Sequence, residues 1–236
     1  MTASVQSLEF ADAREAADLG AFLARLIHYD RAAAVRLQAA GGAPALAVFG
    51  RPASFEVLAI RTARLSGPVP RPLDVTVSAG ELLETIDERT GSAVVPAAVT
   101  GPPWAGVLPP RGGWRQRAGL PGEETVRGAL AAAVAEFRAR DERLTPETRT
   151  RAERDRIGRE IWSRTLGDTG LPLRAVHAAQ SLGFLRPVRA SMPAGAAPPA
   201  QPLALLECGG WLRLRTPYGS IAVRHAGLGG LTVTPA

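Results

Sequence analysis

Three histidines, one cysteine and an unusual number of arginines are the side chains with which this 236-residue chain could do chemistry. His28 and Asp30 put an imidazole and a carboxylate two positions apart, and general acid–base work needs such a pair within hydrogen-bond reach in a cleft. The same residues end an amphipathic segment, where a cationic imidazole is already accounted for by the partial negative charge of a helix C-terminus. His177 falls inside an apolar helical pattern and reads as a packed or exposed side chain, while His225 closes a strand. Cys208 precedes Gly209-Gly210 with no adjacent base to generate a thiolate, so it reads as a small buried hydrophobe. The chain contains no Gly-x-Ser-x-Gly elbow, phosphate-binding loop, dinucleotide fingerprint or paired-histidine metal motif. No catalytic residue, metal site or cofactor is assigned.

The arginines leave binding as the remaining chemistry. Trp211, Arg213 and Arg215 alternate with Leu212 and Leu214, so one face of a strand carries an aromatic ring and two cations. A second group, Arg149, Arg151, Arg154, Arg156, Arg159 and Arg164, is interleaved with Glu147, Glu153, Asp155 and Glu160. Pairs four apart, Asp155 with Arg159 and Glu160 with Arg164, each stabilise a helix by about 0.2 to 0.5 kcal/mol. That group is either a solvated, self-paired helical face or a phosphate-binding one, and the discriminator is whether it shares one positive surface with Arg213 and Arg215. The 28 basic residues include no lysine, and asparagine is also missing. Both have A-rich codons, so a GC-rich genome explains the choice of arginine. The pI near 10.9 is inflated by that choice, whereas the net charge of +6 is only mildly basic.

These residues need elements to hold them. Residues 10–28 carry Ala16, Leu19, Phe22, Leu23, Leu26 and Ile27 at helical spacing. Strands follow at 31–39, 45–49, 55–65 and 73–77, the first two separated by Gly41-Gly42. Ser78 and Glu81 form a capping box that opens a helix through about Glu88. Residues 96–122, with two Pro-Pro pairs, Gly112-Gly113, Trp104 and Trp114, form a long irregular connection. It is either pinned to the core by its tryptophans or a recognition loop. A helix spans 123–143, and Thr145-Pro146-Glu147 predicts the start of another running to 165. A third covers 171–182 and stops at Gly183. After a spacer at 192–202 come strands 203–208, 211–216 and 220–225, a β-meander. The expectation is an α+β protein: an N-terminal helix-flanked four-stranded antiparallel sheet (1–95), a connecting loop (96–122), and a helical segment with a three-stranded meander (123–236). Whether the halves share one core is left open.

The stretch from Glu160 through the turn at 167–170 to Leu182-Gly183-Phe184-Leu185 resembles a winged helix-turn-helix core. The resemblance implies a recognition helix bearing Arg174, His177 and Gln180, with the Trp211, Arg213 and Arg215 strands as wing. The spacer between helix and wing departs from that pattern. The first ninety residues, ending in Leu-Asp-Val-Thr-Val-Ser-Ala-Gly-Glu-Leu-Leu-Glu-Thr-Ile, resemble one module of a DNA sliding clamp, without the repeat a clamp needs. Segments such as Leu-Glu-Phe-Ala-Asp-Ala-Arg-Glu-Ala-Ala-Asp-Leu-Gly resemble uncharacterised conserved proteins of high-GC actinobacteria, which implies no activity. The expected function is a non-enzymatic binding or regulatory protein with a protein or nucleic-acid partner. The alternative is an enzyme with a site near residues 101–114 and His28 and Asp30 within reach. No apolar run approaches the ~20 residues of a membrane span and no leader opens the chain, so the expected location is the cytoplasm.

Overall fold

A computed structural model describes residues 6–187 and 203–224. The spacer at 192–202 and His225 lie outside the described residues. Strand β1 (Ser7–Glu9) leads into helix α1 (Ala13–Tyr29), whose start is capped by the Asp12 carboxylate accepting from the Arg14 and Glu15 amides. Four strands follow: β2 (Ala34–Ala39), β3 (Ala45–Gly50), β4 (Leu58–Arg64) and β5 (Leu73–Ser78). The Ser78 hydroxyl then accepts from the Glu81 amide and opens α2 (Ala79–Thr85). This helix stops three residues short of expectation, because Asp87 turns the chain by accepting from the Arg89 and Thr90 amides. Strand β6 (Ser92–Val94) pairs with β1 in a separate two-stranded ribbon.

The connection at 96–122 is less irregular than its composition suggests. It contains a 3-10 turn, Pro103–Gly106, and a short strand β7 (Arg115–Arg117). Helices α3 (Glu123–Glu142), α4 (Arg151–Ser163) and α5 (Leu173–Ser181) come next, then β8 (Ala204–Cys208), β9 (Trp211–Thr216) and β10 (Gly219–Arg224). Helix α4 begins five residues later than Thr145-Pro146 predicts. Thr145 and Thr148 close a turn of their own through amide and hydroxyl bonds, and Thr150 caps the helix by accepting from the Glu153 amide. Of the two anticipated intrahelical pairs, Glu160 holds Arg164 at 3.2 Å, whereas Asp155 pairs with Arg151 instead of Arg159.

All strands but β1 and β6 join one antiparallel sheet of eight, ordered β5-β2-β3-β4-β10-β9-β8-β7. The meander is therefore not a separate unit. It gains β7 on one side and joins the N-terminal sheet on the other, with Leu58, Ala59 and Ile60 of β4 opposite Ala222, Ile221 and Ser220 of β10. The inward residues of both halves, including Leu37, Val48, Leu214 and Ile221, share a single core with the helices. Phe22 of α1 stacks on Phe184 at 5.5 Å, and that ring occupies the space a Cβ at Gly219 would need.

One charged group lies inside this junction. Arg61 of β4 is 6% exposed, donates to the Tyr218 carbonyl at 2.8 Å and to Glu15 at 2.9 Å, and reaches Asp18 at 3.4 Å. Glu15 also accepts from Arg64, and Asp18 from Arg186, whose guanidinium lies 3.7 Å over the Tyr218 ring. Removing one partner from such a buried set leaves uncompensated charge. Since Glu15 and Asp18 keep their other arginines, Arg61→Leu is expected at the low end of that cost, about 3 kcal/mol in urea denaturation. A loss below about 1 kcal/mol would show that the cluster does not hold the halves together.

Candidate nucleic-acid interface

The six residues singled out from the sequence fall on opposite sides of the sheet. Helix α5 packs its Leu173, Val176 and Ala179 into the core beneath Leu212, Leu214, Ile221 and Val223. Trp211, Arg213 and Arg215 alternate with Leu212 and Leu214, so they point away from every core helix. The recognition helix and wing of the winged-helix resemblance therefore do not form one surface here.

On α5, Gln180 is exposed, Arg174 is half-buried, and the Arg174 Nε has no hydrogen-bond partner among the described residues. His177 is packed in an aromatic ladder. The Trp162 ring stacks on it at 4.3 Å, Phe55 meets it edge-on at 5.1 Å, and Tyr29 and His28 continue the row from the end of α1. Phe55 is held there by two residues in left-handed backbone, Ser54 with φ 71° and Glu56 with φ 52°, a conformation that costs a non-glycine residue about 1–3 kcal/mol. Burial holds the His177 imidazole below its ordinary range. It is a packing residue that joins α5 and α4 to the 52–57 loop.

The helix-free face is chemically different. Register places Arg213 between Leu206 of β8 and Ala222 of β10, and Arg215 between Ala204 and Ser220. None of these neighbours is a carboxylate. Glu207, the acidic residue of β8, points to the helix side and pairs with Arg117 at 3.0 Å. Among the described residues Arg213, Arg215 and Arg224 make no ion pair, and the Nε atoms of Arg213 and Arg215 are buried without a hydrogen-bond partner. Their neighbours are rings: the Arg213 guanidinium lies 5.6 Å from Trp114, and Arg224 lies 5.4 Å over Trp211. Desolvation first, and the like charge of Arg215 second, push the Arg213 guanidinium below its ordinary value.

The proline-rich segment crosses this face as a strap. The Val99 amide donates to the Thr76 carbonyl on β5, and Trp104 and Leu108 cover Phe49, Leu58, Ile60 and Ala222. Farther on, the Trp114 indole donates to the Pro110 carbonyl, and the Cys208 thiol meets the Gly112 carbonyl at 3.4 Å. The tryptophans pin the segment to the sheet. Where the strap starts, a cavity of about 600 Å³ is lined by Asp30, Arg51, Ser78 and Trp104 among others, and His28 is not part of its wall. The strap's path, Trp114 against Arg213 and Arg224 against Trp211 had no counterpart in the sequence reading. The signal available for Arg224 was its alternation with Ala222 and Ser220 in the last strand.

The arginines near α4 do not extend the surface. The helix buries Ile157 and Ile161 on the helix side of the sheet, and its cations are largely neutralised there. Arg149 and Arg154 hold Asp141 at 2.6 and 2.9 Å, Arg156 pairs with Glu153, and Arg164 pairs with Glu136 of α3. Shared with Arg140 and Arg164, the Glu160 carboxyl is pushed down to about 2.

Residues 109–228, half of the chain, match the model of a domain of unknown function, DUF8185. The chain belongs to the DUF8185 family. Residues 3–106 match a second domain of unknown function, DUF8010. The division between DUF8010 and DUF8185 falls inside the strap, and the β4–β10 pairing joins the two regions into one sheet. No curated protein and no solved structure matches the chain. Among the described residues no helix is long and apolar enough to cross a membrane, and no cluster of three or more His, Cys, Asp or Glu could hold a metal ion.

His177 gives this DUF8185 protein a predictable response to acid. Its folded-state value lies below the unfolded value of about 6.5, so the unfolded chain takes up the proton first and stability falls as pH drops below about 6.5. Urea midpoints at pH 7.5 and at pH 5.5 should show that loss, and His177→Phe should reduce it. An unchanged loss in the variant would assign it to other groups.

Proposed function

We propose that the chain is a non-enzymatic binding protein that holds a nucleic acid by its phosphates on the helix-free face of the sheet. The observation that carries this reading is the row Arg213, Arg215 and Arg224. It consists of three cations without a carboxylate partner among the described residues, in a molecule whose helix-side arginines are mostly paired. Two like charges on alternate residues of one strand, partly desolvated and set among alanine, leucine and serine, are unfavourable in the free protein. A polyanion relieves that repulsion and offers acceptors to the terminal guanidinium nitrogens. Counterion release adds a sequence-independent contribution.

The expected behaviour is salt-dependent binding of labelled nucleic acid in fluorescence anisotropy, with log affinity falling linearly with log salt. Arg213→Ala and Arg215→Ala should each weaken binding by about 3- to 10-fold and reduce the salt slope by about one. Arg151→Ala on α4, an exposed arginine on the other side of the sheet, should leave both unchanged. Absence of binding at low salt, or equal losses from the α4 variant, would refute the assignment.

A further inference from the structure

We infer that the nucleic acid taken by this face is single-stranded and is held by base stacking on the Trp211–Arg224 pair as well as by phosphate contacts. The inference rests on the reading above and adds a partner class to it. Residues on one face of a strand recur every ~6.8 Å, so Arg213 and Arg215 present their charges at an interval that suits the extended backbone of a single strand. Neighbouring phosphates of a duplex strand are a similar distance apart but follow a helical path, so the interval alone does not separate the two, and the rings on this face do. A duplex keeps its bases paired and stacked and offers no free π-face, whereas on this face the described residues form a sheet surface with tryptophans beside the cations, crossed by a strap pinned at Trp104, Leu108 and Trp114.

The aromatic side chains are placed for stacking. Trp211 is half-buried, lies on the apolar patch of Phe49, Leu58, Ile60 and Ala222, and carries the exposed Arg224 guanidinium over its ring. A base can stack on that guanidinium plane or take its place on the indole, and both modes are sequence-tolerant because every base offers a π-face. Arg213, two residues along β9 on the same face, lies 5.6 Å from the Trp114 ring of the strap, so each of these two cations stands beside a ring. A phosphate-only surface would need the arginines alone. The interleaved rings are the feature that favours a strand with unpaired bases over an acidic protein, whose carboxylates would use the cations and leave the rings idle.

The test is an anisotropy titration of the full chain with labelled oligothymidylate, the same strand in a duplex with oligoadenylate, and labelled polyglutamate. Oligothymidylate should bind about tenfold more tightly than either competitor, the scale of one stacked base. Arg224→Ala should remove most of that preference and lower the affinity. Trp211→Leu should do the same if its circular dichroism and urea midpoint show that it folds; if it does not fold, Arg224→Ala decides. Equal affinity for the single strand and the duplex, with Arg224→Ala weakening both alike, overturns the stacking while leaving the phosphate-binding face intact. Tighter binding of polyglutamate overturns the nucleic-acid assignment in favour of an acidic protein partner. Absence of binding to all three probes at low salt overturns both readings.

Discussion

The structure depends on the antiparallel pairing of β4 with β10 and on the buried guanidinium that fixes it. Each half alone would present an open strand edge, and an edge with apolar neighbours pairs with whatever is available. Three residue pairs close that edge here. Arg61 makes the closure specific, because its two terminal nitrogens find the Tyr218 carbonyl, Glu15 and Asp18 only when all three arrive together. Those partners come from the 216–219 turn and from α1, so satisfying one desolvated charge places the first helix, the seam and the turn before β10. The position of β9, and hence of Trp211, Arg213 and Arg215, follows from the seam through a single hairpin.

The strap covers the other face of the sheet. A chain that crosses an apolar sheet face must find partners for its amides, and a buried orphan amide is costly. Pro102, Pro103, Pro109 and Pro110 have no amide hydrogen to satisfy and are already restricted in φ, so this segment lies on Phe49, Leu58 and Ile60 at a lower cost in hydrogen bonds and entropy than most sequences would. Gly101 lets the strap enter closely, since a Cβ there would come within 3.3 Å of both Thr76 and Ala105 and push them apart by a few tenths of an ångström. The segment that looks like a linker in composition is thereby a covering layer. It shields the apolar half of the face and leaves the cationic row of β9 beside it.

Much of the fold was legible because its periods are clean. The alternation in β2, β5 and β9 and the helical spacing of α1, α3 and α5 follow directly from which side each residue must bury. What was not legible has identifiable reasons. The seam joins residues about 160 positions apart, and no local pattern distinguishes β10 as a strand that pairs across halves. Strand β7 is three residues, Arg-Gln-Arg, with no apolar alternation, and exists because β8 offers it an edge. The start of α4 was misplaced because two threonines compete: Thr145 is followed by proline, Thr150 by a glutamate three residues later, and the capping geometry belongs to the second. The candidate site was half legible. Alternation put Trp211, Arg213 and Arg215 on one face correctly, but it could not show that Arg174, His177 and Gln180 lie beyond the sheet.

Genomic composition explains why the cations of this chain are arginines; it does not explain where they are left unpaired. Around α4, carboxylates stand within one helical turn or on the adjacent α3, and those arginines find them. Across β8, β9 and β10 the outward positions beside the arginines are Leu206, Ala204, Ala222 and Ser220, and the acidic residue of β8 points the other way. On the same face Arg36 and Arg111 find Asp74, so the unneutralised cations of its described strands are those of β9 and β10, and leaving them so is unfavourable through desolvation and like-charge repulsion, the two causes that push Arg213 below its ordinary value. Under the proposed function the bound phosphates would offset that cost, which gives the unpaired row on β9 and β10 a role in binding and not in packing.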